Sequence, residues 1–354
     1  MIGRLDLKVD RFSGVYILLL FIVVFSLARP DTFAQVETVH ILASSQAVNG
    51  LVAIAVLIPM ICGQFDLSVG ANANLVAMVA VTLQVEQGTQ VLAAVAVAVA
   101  IGLLIGVVNG FIVVKLGVSS FIATLGTASI LTAFQTMVTK SQLPPVPESD
   151  LWSAITQTEV FGFQIVVVYL IIAVALAWWV LECTPADRYM MATGSNPDAA
   201  RLSGIRTDTW SWISFVASGG NAALAGVLFV SLAGVAVTFG NSLVLPAFAA
   251  VFLGSTQLKP GRFNVLGTIL AIFVLATGVL GLQLLTSIPW INEMFNGLAV
   301  IVAVALAVAK RPGSSRRSRR ERRLDPGDGD GDGEGDGDAY ERDGKPESVS
   351  SQRT

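Results

Sequence analysis

Apolar runs separated by short polar loops fill this chain from residue 14 to residue 309. No other feature restricts the fold as much. In hydrocarbon every backbone N–H and C=O must find a partner within the protein, which leaves helices or closed barrels. Apolar runs of roughly 17–25 residues select helices. Composition agrees: the chain is 54% hydrophobic and 13% charged, against about 25% charged in a soluble domain. The expected fold is all-α and polytopic, with about ten transmembrane helices. The runs are 14–28, 47–62, 66–84, 91–114, 121–139, 163–182, 211–234, 244–256, 264–285 and 290–309. Several fall short of the ~20 residues a perpendicular helix needs, so some short or broken helices are expected. The first run follows Arg4, Lys8 and Arg11 and ends in Leu27-Ala28-Arg29-Pro30, a poor cleavage site, so it reads as an uncleaved span.

Positive charge sets the orientation. With a cytoplasmic N-terminus, the inside loops hold Arg4, Lys8, Arg11, Lys115, Arg188, Arg201, Arg206, Lys259 and Arg262, and the outside loops only Arg29 and Lys140. Three regions follow: a cytoplasmic N-terminus at 1–13, a permease-like membrane domain at 14–309 containing a cytoplasmic loop at 183–210, and a cytoplasmic tail at 310–354. Both termini then lie inside a cell membrane. The tail is basic first, with Lys310, Arg311, Arg316, Arg317, Arg319, Arg320, Arg322 and Arg323. That part is expected against anionic lipid headgroups, at ~1 kcal/mol per residue. The Gly-Asp stretch after it has too little apolar surface to fold and is expected to be disordered. Asp330, Asp332, Glu334, Gly335 and Glu341 partly match an EF-hand loop, but no amphipathic helices flank them, so ordered calcium binding is not expected. Outside, Asp31, Glu37, Glu86, Glu148, Asp150 and Glu159 make the loops acidic. They suit solvated loops or a docking face for an outside partner.

The polar insert from Arg188 to Gly204 stands out between two apolar runs. Asn196 is placed to cap a short helix with Pro197 at its first position and Asp198 at the positive end of its dipole. Gly204 supplies a left-handed stop. A capped helix over residues 197–203, facing the cytoplasm between spans, suits docking to a soluble partner. Arg201 is its expected polar contact to that partner, and Ala199 and Ala200 permit close packing.

A second element is Gly63-Gln64-Phe65-Asp66-Leu67-Ser68-Val69-Gly70. An acid in an apolar stretch is paired or functional. Asp66 either caps a helix starting at Leu67 or marks a break beside a transport path. Cys62 and Cys183 sit in or beside apolar runs and read as buried small hydrophobes, not as a disulfide or metal pair. With His40 the single histidine, a His-centred metal site or triad is hard to assemble. No paired carboxylates appear within the membrane body, and nothing points to nucleic acid. The chain is not expected to be an enzyme.

Four ordered stretches carry a family resemblance. Gln64-Phe65-Asp66-Leu67-Ser68-Val69-Gly70 resembles the Ile-Asp-Leu-Ser-Val-Gly signature of the ribose/xylose/arabinose-type ABC transporter permeases. Asn109-Gly110 with Phe121-Ile-Ala-Thr-Leu-Gly-Thr127, the stretch from Gly194 to Ile205, and the block from Pro246 through Thr256, Gly261-Arg262 and Val265-Leu-Gly-Thr268 match in the same order. Phe65 stands in place of the usual Ile, Thr132-Ala133 where relatives often have Arg-Gly, and Lys259-Pro260 where small residues are usual. The resemblance implies an importer subunit that translocates a sugar or related small polar solute: a pentose, a hexose or a polyol. It would pair with a second permease copy, bind ATP-binding cassette ATPase subunits, and receive solute from an extracytoplasmic binding protein. The stretch from Gly194 to Ile205 would then be the ATPase-coupling loop. This chain has no Gly-x-x-x-x-Gly-Lys-Ser/Thr loop, so it is expected to hold no cofactor itself, with ATP and Mg on the partner ATPase. By polarity and placement, Asp66, Ser68, Asn72, Asn74, Phe121, Thr124, Gln135 and Asn221 are candidates for the translocation path. Asn72 shares a helix face with Ser68. The alternative, a stand-alone secondary transporter or channel, predicts ion-coupling charges inside the spans, and these are scarce.

Overall fold

In the computed structural model, residues 9–309 are described apart from Val237, Ser287 and Pro289; the basic and acidic tail lies outside them. Seven described helices are long and apolar enough to cross a membrane. They are α2 (Val36–Ile61), α3 (Val69–Gln87), α4 (Val91–Val114), α5 (Ser120–Val138), α7 (Val166–Cys183), α10 (Thr207–Ala233) and α12 (Val265–Thr286). Three shorter apolar helices join them: α1 (Val9–Ala28, apolar from Phe12), α11 (Phe239–Gly254) and α13 (Ile291–Ala309). Three small helices complete the helical set: α6 (Asp150–Gln157), α8 (Ala186–Ser195) and α9 (Pro197–Leu202). The fold is a polytopic all-α membrane protein. A hairpin of β1 (Glu159–Val160) and β2 (Phe163–Gln164) is the one sheet among the described residues.

Helix limits depart from expectation where polar residues continue an apolar helix. α2 begins at Val36, well before the expected 47, because Glu37, Thr38, His40, Ser44, Ser45 and Gln46 extend it beyond the apolar run. α7 begins at Val166, because Phe163 belongs to the hairpin. α10 starts at Thr207 and α11 at Phe239, each earlier than its apolar run. Cys62 is buried as expected, but Cys183 is exposed at the end of α7.

The core is built around α2 and α10. α2 is buried without interruption from Gly50 to Ile61, a helix surrounded by other helices. Small residues let backbones meet, which is how helices associate where lipid is as apolar as leucine. On the α4–α10 contact, a Cβ at Gly106 would strike the Phe215 carbonyl, and one at Gly219 would strike the Gly102 carbonyl. Gly267 is equally hemmed in, by Asn264 and the Gly254 carbonyl. A Cβ at Gly126 of α5 meets nothing within 4 Å. α6 docks on the end of α10: Trp152 is fully buried, and Ser231 Oγ donates to the Trp152 carbonyl at 2.5 Å.

Candidate functional site

Between α2 and α3 the chain leaves helical geometry over residues 62–68. Pro59 lacks the N–H that would bond the Ala55 carbonyl, which weakens the last turns of α2, and the chain turns left-handed at Gly63, φ +73°. An unwound segment inside a bundle is tolerated only if its polar groups are met there. Here they are. The N–H of Phe65 donates to Ser120 Oγ and that of Leu67 to Thr124 Oγ1, both at 3.1 Å. Asp66 is buried, and its Oδ1 accepts the Ser68 N–H at 3.0 Å and Ser68 Oγ at 2.6 Å. Its Oδ2 accepts Ser218 Oγ at 2.8 Å from α10. Asn109 Nδ2 of α4 donates to Ser68 Oγ at 2.8 Å. One acid thus ties the break to α10 directly, and to α4 through Ser68.

Asp66 is not a cap on a helix beginning at Leu67. α3 begins at Val69 with Ser68 at its N-cap, and Asp66 bonds Ser68 two residues along the chain. The structure brings Asp66, Ser68 and Thr124 into one cluster and disperses the other path candidates. Asn72 is buried and reaches the Gly219 carbonyl at 3.2 Å. Asn74 Oδ1 accepts the Gly240 N–H at 2.8 Å, satisfying an orphan donor at the start of α11. Asn221 Nδ2 bonds the Ala217 carbonyl of its own helix at 2.9 Å. Gln135 is buried on α5, whereas Phe121 is 51% exposed on that helix.

The polar loop forms the expected helix one residue shorter. Asn196 Oδ1 accepts the Ala199 N–H at 3.0 Å, Pro197 opens α9, and Gly204 has φ +82°. Asp198 lies in the first turn; Ala199 faces outward and Ala200 inward. Arg201 is tied within its own loop: Nε donates to Thr207 Oγ1 and Nη2 to Asp208 Oδ1, both at 2.8 Å. It therefore fixes α9 to the first turn of α10. The most exposed large hydrophobic side chain of this loop is Leu202, at 91%.

This loop is joined to the break. A Cβ at Gly194, near the end of α8, would strike the Ile61 carbonyl, and Gly63 packs on the Gly194 backbone. From the α11–α12 loop, Lys259 pairs with Glu182 at 2.6 Å and Arg262 with Asp187 at 3.0 Å, pinning the end of α7 and the start of α8. Sequence reading overlooked Ser120, Ser218 and Leu202 and gave Asn109 and Gly194 no role. Asn109 carried a usable signal, a lone amide in an otherwise apolar helix. Ser218 carried none, since buried serines at helix contacts are common.

Comparison with known proteins fits this geometry. Residues 39–305 match the family described as the branched-chain amino acid transport system permease component. A ribose import permease protein of Haemophilus influenzae is 32% identical over 308 residues, covering 86% of this chain and 94% of the relative. An autoinducer 2 import system permease protein of Photorhabdus laumondii is 30% identical over 280 residues, covering 77% and 81%. A fructose import permease protein of Rhizobium meliloti is 27% identical over 300 residues, covering 82% and 83%. The chain belongs to this family of ABC import permeases and is a multi-pass inner-membrane subunit.

Proposed function

We propose that this chain is the membrane subunit of an ATP-driven importer for a sugar or similar neutral polar solute, and that it has no catalytic activity of its own. The ribose and fructose import relatives support the solute class. ATP-binding cassette subunits, carrying ATP and Mg, dock on the α8–α9 loop, and an extracytoplasmic binding protein delivers solute from the other side. The observation that carries the mechanism is the contact between Gly194 and residues 61–63. It joins the docking loop to the unwound segment, and Asp66 joins that segment to α10. Motion of α9 then reaches α10 and α4 by packed backbone and hydrogen bonds, opening one end of the path as the other closes. Leu202 is the apolar knob that enters the ATPase surface, and Arg201 holds it in place.

A second copy of this chain covers α5. α3 and α5 are the two least apolar spans, yet α3 is mostly buried while α5 is mostly uncovered. Its open face carries Gly126, Ser129, Thr132, Ala133 and Thr136 beside Phe121 and Ile122, residues that suit close packing or a hydrated path better than lipid.

The test is reconstitution in proteoliposomes with the ATPase and binding protein. The wild type should stimulate ATP hydrolysis on addition of loaded binding protein. Arg201→Glu with Gly204→Pro should insert normally and lose that stimulation. Solute flux that needs no ATPase and ignores the double variant would instead establish a stand-alone transporter.

A further inference from the structure

A cleft of about 300 Å³ lies within the bundle, away from the Asp66 cluster, between α2, α11, α12 and α13. Its lining comes from the first half of α2 and the N-terminal turns of α11 and α13, with the later part of α12. Those segments share one end of the bundle, the extracytoplasmic end in the orientation set by the basic residues. Amides gather there: Gln46 and Asn49 from α2, Gln283 from α12, Asn292 and Asn296 from α13. None of the lining residues is charged.

Two of these amides bond within their own helices, as Gln84 and Asn221 do, and so hold no two segments together. Asn72, Asn74 and Asn109 each reach across to another segment, as polar residues holding a membrane bundle together do. Around the cleft, Asn49 donates to Gln46 at 2.6 Å and Asn296 to Asn292 at 2.7 Å, each within its own helix. Asn49 Oδ1 is buried and accepts no hydrogen bond, a state it shares with Asn72 Oδ1 and Asn109 Oδ1, but Asn49 alone of the three lines this cleft. Pro246 also lines the cleft; it lacks the N–H that would serve the Ser242 carbonyl four residues earlier, and Ser242 is a neighbouring wall. A broken ladder beside a set of amides is how membrane transporters expose backbone acceptors to a solute.

We infer that this cleft binds a neutral polyhydroxylated solute, a sugar or a polyol, through the amides of Gln46, Asn49, Gln283 and Asn296. Each amide both donates and accepts, and so does each hydroxyl, so neither partner is left unpaired. Ile41, Leu275 and Val279 face the same space and suit the C–H faces of a sugar ring. The volume lies at the small end of ligand pockets, which run from about 300 to 1,000 Å³. An ionic solute would find no counter-charge. The inference rests on the import reading above and gives each protomer its own solute site, apart from the uncovered face of α5.

Two experiments test it, with D-ribose, D-fructose and sorbitol as probes. In the first, Gln283→Leu and Asn296→Leu are assayed in the complete importer. The KM for import should rise about tenfold, the worth of one or two lost hydrogen bonds, while basal ATP hydrolysis and thermal stability stay at wild-type values. In the second, Ser242→Cys is placed in a Cys183→Ser background and labelled with a maleimide, with permease alone. The polyols should slow labelling and equimolar glycine should not. ATP-coupled sugar import with an unchanged KM in both leucine variants overturns this inference and leaves the import reading intact. So does labelling that responds to added phospholipid and to no polyol. An importer that moves amino acids and none of the three probes overturns both.

Discussion

Replacing Ser218 by alanine tests whether Asp66 holds the break to α10. The Ser218 hydroxyl is fully buried and donates to Asp66 Oδ2 at 2.8 Å. Without it, Oδ2 loses its donor from α10, and Asp66 keeps only its two bonds from Ser68, on its own segment. A buried hydrogen bond to a charged acceptor contributes about 1.5–3 kcal/mol, one to a neutral acceptor about 0.5–1.5. A loss near 2 kcal/mol is expected, about 30-fold in an equilibrium or a rate. Unfolding of a protein of this kind is often irreversible, so the assay is the inactivation half-life in detergent at fixed temperature. Ser214→Ala is the control. It lies one helical turn away, is also fully buried, and donates to the Ser211 carbonyl of its own helix at 2.7 Å. Its removal should cost under about 1 kcal/mol, because it loses a local back-bond and a weak contact with the Cys62 thiol, neither of them to a carboxylate. Ser218→Ala should also weaken the stimulation of ATP hydrolysis by loaded binding protein, and Ser214→Ala should not. Equal half-lives for the two variants would refute the assignment of Asp66 as the tie between break and helix.

Two further variants probe the backbone contacts. Gly194→Val places a side chain against the Ile61 carbonyl; it should cost about 1–3 kcal/mol by overpacking and uncouple ATP hydrolysis from import, read as hydrolysis that no longer responds to solute. Gly106→Leu strikes backbone atoms of Phe215 and Val216 and should abolish monodisperse protein on size exclusion. Gly126→Leu meets open space in the protomer; it should leave the inactivation half-life unchanged while dissociating the permease pair by native mass spectrometry, and an intact pair would remove α5 from the interface.

The polytopic helical fold was legible because hydrocarbon leaves the backbone few choices, and apolar runs mark the segments that obey. α9 was equally legible: Asn196, Pro197 and Gly204 act through local backbone geometry that sequence spacing states directly. Helix starts were not, because Glu37 to Gln46 continue α2 on a face where polar side chains meet the cleft or water. Arg201 shows a different limit. Its charge is visible in the sequence, but the partner that absorbs it, Asp208, depends on how α9 folds back onto α10. Of the candidates for a path, picked one by one for polarity, Asp66, Asn72, Asn74 and Thr124 hold hydrogen bonds to other segments. Polarity alone does not distinguish a side chain that holds two helices together from one that waits for a solute.

That distinction bears on where a solute travels. Asp66, Ser68, Thr124, Ser218 and Asn109 Nδ2 hold hydrogen bonds to one another or to the backbone of α5 and of residues 65–68. A solute bound there would have to displace bonds to a buried acid, and a transit path is better served by groups whose bonds are weak or local. The cluster is therefore proposed as a joint between segments and not as a solute site. It keeps an irregular segment in register with α4, α5 and α10 and presents Gly63 to the docking loop. Groups free to exchange partners lie elsewhere, on the open face of α5 and around the amide cleft. On the reading proposed here, the most polar point of the bundle transmits movement and the neutral surfaces carry the solute.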